Sequence, residues 1–404
     1  MKHFKISVII SEFNPFHNGH SHLIAQTRQS GASHIIAIMS GNFVQRGAPA
    51  CFSKWVRAKA ALQSGVDLIL ELPLPWALSS AHTFALGGVS LANALGCAHQ
   101  LSFGSEAGAI APLWQLASLL SSPQFSQYLQ AQLKTGATFA AARQSAVAML
   151  TNPQTAALLS QPNNILAVSY CQALRATGSK LVPFTIPRTG AAYHDSAAPQ
   201  SAIASATQIR HLIAQQQPFS DYLPPQAHTC FADALHRNAA PASISTIERA
   251  VLAKLRTMPL AAFANLPDIS EGVEHRLYQA AKQATSLPDL YARVKTKRYT
   301  LARIRRLTLS AFLGIQSAHT TLSPPYLRVL GFSPAGKELL PLLKQTASLP
   351  LFTNAARCHA LSPQAQAIFA LEAASSDLYA LTLPQPGLCG LEYTQPIITP
   401  MNER

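Results

Sequence analysis

Over its first 105 residues the chain alternates short apolar runs with helical stretches, and the first, second and fourth runs end on a polar cluster. Residues 6–10, 34–39, 67–72 and 99–103 read as buried strands, being short, apolar and rich in β-branched residues. Between them a helix from His20 stops at Gly31, and a second spans 53–64 with Lys54, Arg57 and Lys59 beside Val56, Ala60, Ala61 and Leu62. A helix-rich stretch over 76–95 is expected to break at Gly87-Gly88. A strand–helix–strand unit joins parallel strands by a right-handed crossover. A series of such units builds an open α/β sheet, whose ligands sit beyond the carboxyl ends of its strands. The clusters at 14–20, 40–46 and 104–106 all fall at those ends.

Further on, 110–159 turns Ala/Leu/Gln-rich and helical, 180–186 reads as another strand, and 205–214 opens a helix on the N-cap Ser205. The Gln/Pro-bearing stretch 215–225 is the best boundary. It predicts an α/β domain over 1–215 with a Rossmann-like parallel sheet, followed by a mostly helical, basic domain over 216–404. Hydrophobic residues at 48% exclude general disorder, while 12% charged residues with a net charge of +14 point to a polyanionic partner, nucleic acid ahead of an anionic membrane surface. The six cysteines form no C-x-x-C pair, and a long, core-rich chain without a secretory signal predicts reduced thiols and a cytoplasmic protein. No apolar stretch approaches the ~18 residues of a membrane span.

Two constellations carry chemistry. In Asn14-Pro15-Phe16-His17-Asn18-Gly19-His20, two histidines straddle a glycine at the start of a helix, where unpaired N–H groups and a partial positive charge suit phosphate. Two imidazole donors can stabilise charge on the equatorial oxygens of an attacked α-phosphate. A capped helix with surface histidines is the bland alternative, and zinc lacks a matching Cys or His cluster. The H-x-G-H pattern resembles that of the nucleotidyltransferase-like α/β superfamily, which includes class I aminoacyl-tRNA synthetases. Ser205, Thr207 and Arg210 are similar to that superfamily's later helix start, whose hydroxyls and amides face the β- and γ-phosphates.

More specifically, the chain resembles the tRNA(Met) cytidine acetate ligases. The likeness rests on Glu12 through His20, Met39 through Gly47, Ser53-Lys54-Trp55 with Arg57, Gln63 through Asp67, Glu71-Leu72-Pro73, Phe103 through Glu106 and Pro162 through Leu166. It continues in Arg188, Tyr193-His194-Asp195, Ser205 through Arg210 and Lys295 through Thr300. Ala167 stands where the family has Gly, and little is recognisable beyond Ser333.

The resemblance implies an ATP-dependent ligase that forms acetyl-adenylate from acetate and passes the acetyl group to N4 of the wobble cytidine of elongator methionine tRNA. Carried over, the ATP site comprises Ile10, Ser11, Glu12, Phe13, Asn14, Pro15, Phe16, His17, Asn18, Gly19, His20, Ser21, His22 and Leu23, with Gly104, Asn163, Asn164 and Arg188. His17 and His20 would be catalytic, and Arg188 and Arg210 would meet the leaving pyrophosphate. Mg²⁺ is expected on the phosphates, although no acidic motif identifies its ligands.

Between Asp289 and Glu338 there is no acid, and Lys295, Lys297, Arg298, Arg303 and Arg306 fall here as tRNA contacts, with Tyr299 able to stack on a base. Helical spacing puts Arg303 and Arg306 on one face and turns Leu301, Ile304 and Leu307 inward. Lys54, Arg57 and Lys59 are either a solvated face or a phosphate contact, His194-Asp195 an orienting pair, and Glu106 a helix cap. Two other functions fit parts of the pattern: an adenylyltransferase acting on a phosphorylated small molecule, and a non-catalytic RNA-binding protein.

Overall fold

The computed structural model describes residues 4–188 and 203–400. The expected strands are present as β1 (Ile6–Ser11), β2 (His34–Ser40), β3 (Leu68–Leu72), β4 (Gln100–Ser105) and β5 (Val182–Pro187). They join β6 (Leu327–Phe332) and β7 (Leu351–Phe352) in one sheet of order β5-β4-β1-β2-β3-β6-β7. The first five are parallel, with Ile6 opposite His34, Ser7 opposite Gln100, Ile36 opposite Leu68 and Gln100 opposite Val182. β1 lies between β2 and β4, so the chain leaves it toward one side of the sheet and returns on the other. That reversal opens a crevice at the carboxyl ends of β1 and β4.

Alternation along the strands sorts side chains to two buried faces. Ile6, Val8, Ile10, Ile36, Ile38, Leu68 and Leu70 pack with Phe84, Val89 and Tyr170 on one side. Ile9, Ile35, Ala37, Met39 and Ile69 pack with Ile24, Ala58 and Phe231 on the other. The helices that matter for the site are α1 (Asn18–Gln29), α2 (Lys54–Gln63), α3 (Ala81–Ala94), α4 (Pro123–Lys134), α5 (Phe139–Leu150), α6 (Pro162–Ala176) and α7 (Ala206–Ala214). The break expected at Gly87-Gly88 does not occur, and α3 runs through both residues. A Cβ on Gly87 would stand 2.5 Å from Trp76, and one on Gly88 2.6 Å from Ile10. These glycines exist to let α3 lie close, not to end it.

The second half is mostly helical, as expected, but it also supplies two strands. β6 pairs antiparallel with β3, Leu68 opposite Phe332, and β7 pairs parallel with β6. If the chain divides near residue 215, the division is therefore not one of sheet from helices. A further core forms around Val251, Leu277, Leu290, Ile304 and Leu307, drawing on α8 (Val273–Gln283) and α9 (Leu301–Leu313). Ile304 and Leu307 turn inward as expected, whereas Leu301, in the first turn of α9, is 39% exposed.

Lys54 and Arg57 are neither a solvated face nor a phosphate contact, because both are fully buried. The Lys54 ammonium meets Glu71 at 2.5 Å, Glu392 at 2.5 Å and Glu372, on α10 (Pro363–Ala380), at 3.3 Å. Arg328 on β6 bonds Glu71 at 2.8 Å and also pairs with Glu392. The cluster thus joins α2, β3, β6 and the C-terminal segment. Arg57 gives its guanidinium to the carbonyls of Glu12, Ser40, Gly41 and Phe52, tying together the loops that follow β1 and β2. Sequence spacing cannot anticipate this, since Glu372 lies 318 residues from Lys54.

Candidate active site

A cavity of about 210 Å³ opens at the crevice between β1 and β4. Its floor is the end of β1, Ile10 through Asn14, and its walls include His17, His20, Gly104, Asn163 and Arg188. Ser205, Ala206 and Thr207, at the start of α7, close one side.

His17 is the N-cap of α1, and its Nδ1 accepts the Gly19 amide hydrogen at 3.0 Å. His20 accepts the His17 amide hydrogen on its own Nδ1 at 3.2 Å. A nitrogen that accepts an N–H carries no hydrogen, so each ring is in the tautomer protonated at Nε2. Burial, then Arg188 and Arg210, lower the His17 pKa to about 3. Burial, then His17 and Arg188, hold His20 well below the usual range. Both imidazoles are therefore neutral donors stacked 3.9 Å apart. Gly19 has a more local reason than the approach of a phosphate: a Cβ there would stand 2.8 Å from the His17 ring. Phe13 adopts a left-handed backbone with φ 46°, a conformation that costs a bulky residue about 1–3 kcal/mol. It is held by packing against Phe16 and His20, each at 5.0 Å.

Around the histidines the cations are fixed. Arg188 donates to the Asn163 side-chain oxygen Oδ1 at 3.3 Å, and the Glu106 carboxylate accepts from the backbone amides of Asn163 and Asn164. Glu106 is a cap, but of α6 rather than of a helix of its own. Arg46 donates to Thr207 Oγ1 at 3.0 Å.

Of the expected ATP residues, Ile10, Ser11, Glu12, Phe13, Asn14, His17, His20, Leu23, Gly104, Asn163, Arg188, Ser205 and Thr207 line the cavity. Pro15, Phe16, Asn18, Gly19, Ser21, His22, Asn164 and Arg210 do not. Phe16 is core, Asn18 donates to the Asp221 carbonyl, and Asn164 holds the Ala107 amide. Arg210 braces the site, donating to the Asn14 carbonyl at 2.7 Å and to Thr207. The pair His194-Asp195 and Tyr193 lie outside the described residues. Sequence reasoning missed Phe84, Phe103, Leu166 and Tyr170, which form the apolar wall. Such residues look like core on their helices and strand, and only topology shows that they meet here.

Among the described residues no group of three His, Cys, Asp or Glu side chains is placed to hold a metal ion. The nearby carboxylates are occupied, Glu12 by the Gln45 amide and Glu106 by Asn163 and Asn164, so the residues present do not fit a dedicated Mg²⁺ site.

The expected tRNA contacts divide. Lys297 and Arg298 are exposed. Lys295 bonds the carbonyls of Thr296 and Tyr299, and Arg303 bonds the Asp268 carbonyl at 2.8 Å and Ser270 at 2.7 Å. Arg306 meets the Asp268 carboxylate at 3.3 Å and the Gln45 carbonyl at 3.4 Å. Tyr299 is not available for stacking: it is 6% exposed, and its hydroxyl donates to the Glu271 carbonyl.

The parallel sheet with its switch point and the paired imidazoles on a helix start define a nucleotidyl transferase, and the HIGH Nucleotidyl Transferase family model matches residues 4–388. A tRNA(Met) cytidine acetate ligase of Alkaliphilus metalliredigens is 35% identical over 401 residues, 94% of this chain and 94% of the relative. The apo crystal structure of Thermotoga maritima TmcAL superposes with a TM-score of 0.92 at 30% identity, covering 98% of this chain and 99% of that one. The same protein bound with alpha-thio ATP superposes at 0.90, with 30% identity and the same shares covered. The chain belongs to the tRNA(Met) cytidine acetate ligase family.

Proposed function

We propose that this protein is an ATP-dependent ligase acting in the cytoplasm, which activates acetate and transfers the acetyl group to N4 of the wobble cytidine of elongator methionine tRNA. An acetate oxygen attacks the α-phosphorus of ATP, the bond to the β-phosphate oxygen breaks, and pyrophosphate leaves with acetyl-adenylate remaining. The cytidine N4 amine then attacks the acetyl carbon. AMP departs, and the amine loses one proton.

The observation that carries this reading is the tautomer of the two histidines. Two neutral rings, each with its hydrogen on Nε2, offer donors to the oxygens of an attacked phosphorus without themselves needing to be discharged. The apolar wall of Phe84, Phe103 and Tyr170 suits the adenine and ribose, and the α7 start with Arg188 suits the triphosphate. Any Mg²⁺ would arrive with the phosphates of ATP rather than on a dedicated set of side chains. No described helix is long and apolar enough to cross a membrane.

The test is mass spectrometry of methionine tRNA incubated with the protein, ATP and labelled acetate. A labelled mass increment on the anticodon cytidine is expected. Pyrophosphate release that ignores acetate but responds to a phosphorylated small molecule would move the assignment to an adenylyltransferase.

A further inference from the structure

Two clefts beyond the ATP cavity meet at one residue. The first, about 590 Å³, lies between α4–α5 and the start of α9, and the second, about 750 Å³, lies beside α8. Arg298 lines both. Its guanidinium has no hydrogen bond or ion pair among the described residues, and Lys297 stands beside it in the same condition.

The first cleft combines cations with flat apolar surface. Phe139, the first residue of α5, is 54% exposed there, and the Arg143 guanidinium lies 5.9 Å from its ring. Arg143 also keeps its Nε buried without a partner. Arg306 is offset by Asp268, which leaves Arg143, Arg298 and Arg303 facing Glu271. The cleft also adjoins the catalytic cavity. Asn163, Leu166 and Tyr170 of α6 line the cavity, while Ile165, Ser169 and Gln172 of the same helix line the cleft. Arg306, on the cleft wall, bonds the carbonyl of Gln45, on the cavity wall.

We propose that these joined clefts hold the unpaired nucleotides of an RNA loop, with a base stacked on Phe139 and the backbone turning at Arg298, so that the next nucleotide reaches the ATP cavity. An unpaired loop offers base faces and phosphates together, which a stacked duplex does not. This deepens the ligase reading and rests on it for the choice of RNA.

The test uses the full chain with an indole introduced by Phe139→Trp, and reads its fluorescence against the wild-type background. The methionine anticodon stem–loop should quench the indole, and a blunt duplex of equal length should not. Arg298→Ala should flatten the dependence of log affinity on log salt by ~0.7, the share of one single-strand phosphate, and Arg298→Lys should restore most of it. Phe139→Ala should weaken loop binding roughly ten-fold. An indole that ignores a bound stem–loop, or Arg298→Ala with an unchanged salt slope, overturns the proposal. Equal quenching by polyglutamate also overturns it, as it would mark a site for acidic peptides. If Phe139→Ala and Arg298→Ala acetylate tRNA at the wild-type kcat/KM, the clefts fail while the ligase reading stands. If the loop quenches the indole but no cytidine is acetylated by the wild type, the reverse holds.

Discussion

In the proposed reaction His17 does two jobs with two nitrogens, and substitution can separate them. Nδ1 caps α1 by accepting the Gly19 amide at 3.0 Å, and in that proposed reaction Nε2–H is the donor to the attacked phosphate. An asparagine places its amide oxygen near the Nδ1 position and is among the best N-caps, but nothing of it reaches as far as Nε2. A glutamine reaches the Nε2 position with an N–H and abandons the cap. His17→Asn should therefore keep the stability of the fold and lose the donor, a loss that typically slows a reaction by about 10²–10³, or about 3–4 kcal/mol of barrier. His17→Gln should lose about 1 kcal/mol of stability with the cap and retain more of the rate. Acetate-dependent exchange of pyrophosphate into ATP measures the first step without RNA, and urea unfolding measures the fold. An asparagine variant that exchanges within about three-fold of wild type would show that the ring hydrogen is not used. So would a glutamine variant that is as slow as the asparagine one.

The neutrality of the same ring has a pH signature. An unfolded His17 takes up a proton near pH 6.5 while the folded one resists down to about 3, so stability is lost as the pH is lowered through that window. His17→Asn should remove about 1 kcal/mol of the loss between pH 6.5 and about pH 5.5, read from urea midpoints. Glu372 works in the opposite direction: burial and Glu71 push its carboxyl up to about 8, so the folded state holds a proton that the unfolded state has released above about pH 4.5. Stability from this group is complete at low pH and lost as pH rises through 8, and Glu372→Gln should gain on wild type between about pH 6 and about pH 9. At neutral pH the cluster then closes, with Lys54 and Arg328 balancing Glu71 and Glu392. Lys54→Met should leave one buried negative charge and cost about 3–5 kcal/mol in denaturant unfolding; a cost under about 1 kcal/mol would refute the closed count.

The sheet and the histidines were legible because their signals are local. β1, β2 and β3 are short β-branched runs, and His17, Gly19 and His20 fall within one turn of each other. What failed depends on partners far along the chain. Lys54 and Arg57 sit on a helix whose spacing resembles a solvated face, and their carboxylates and carbonyls arrive from other elements. β6 and β7 were missed because a six-residue strand holding Gly331 and a two-residue strand carry little periodicity. Tyr299 lies in a basic stretch that invited an RNA role, yet its hydroxyl is taken by a carbonyl 28 residues away. Gly87 and Gly88 misled for the converse reason: helix breakers by propensity, they are required by Trp76 and Ile10.

The buried ion cluster makes the nucleotide pocket a late arrival in the life of the chain. Arg57 secures the loops after β1 and β2, and its helix is anchored through Lys54 to Glu372 and Glu392. A ribosome that has released only the first 215 residues has exposed the histidines and Glu71, but not Glu372 and Glu392, which complete the shell around Lys54. Truncation at any point between Thr207 and Glu392 should thus abolish adenylate formation while leaving every cavity-lining residue in the product, and no such fragment should serve as a minimal activating enzyme.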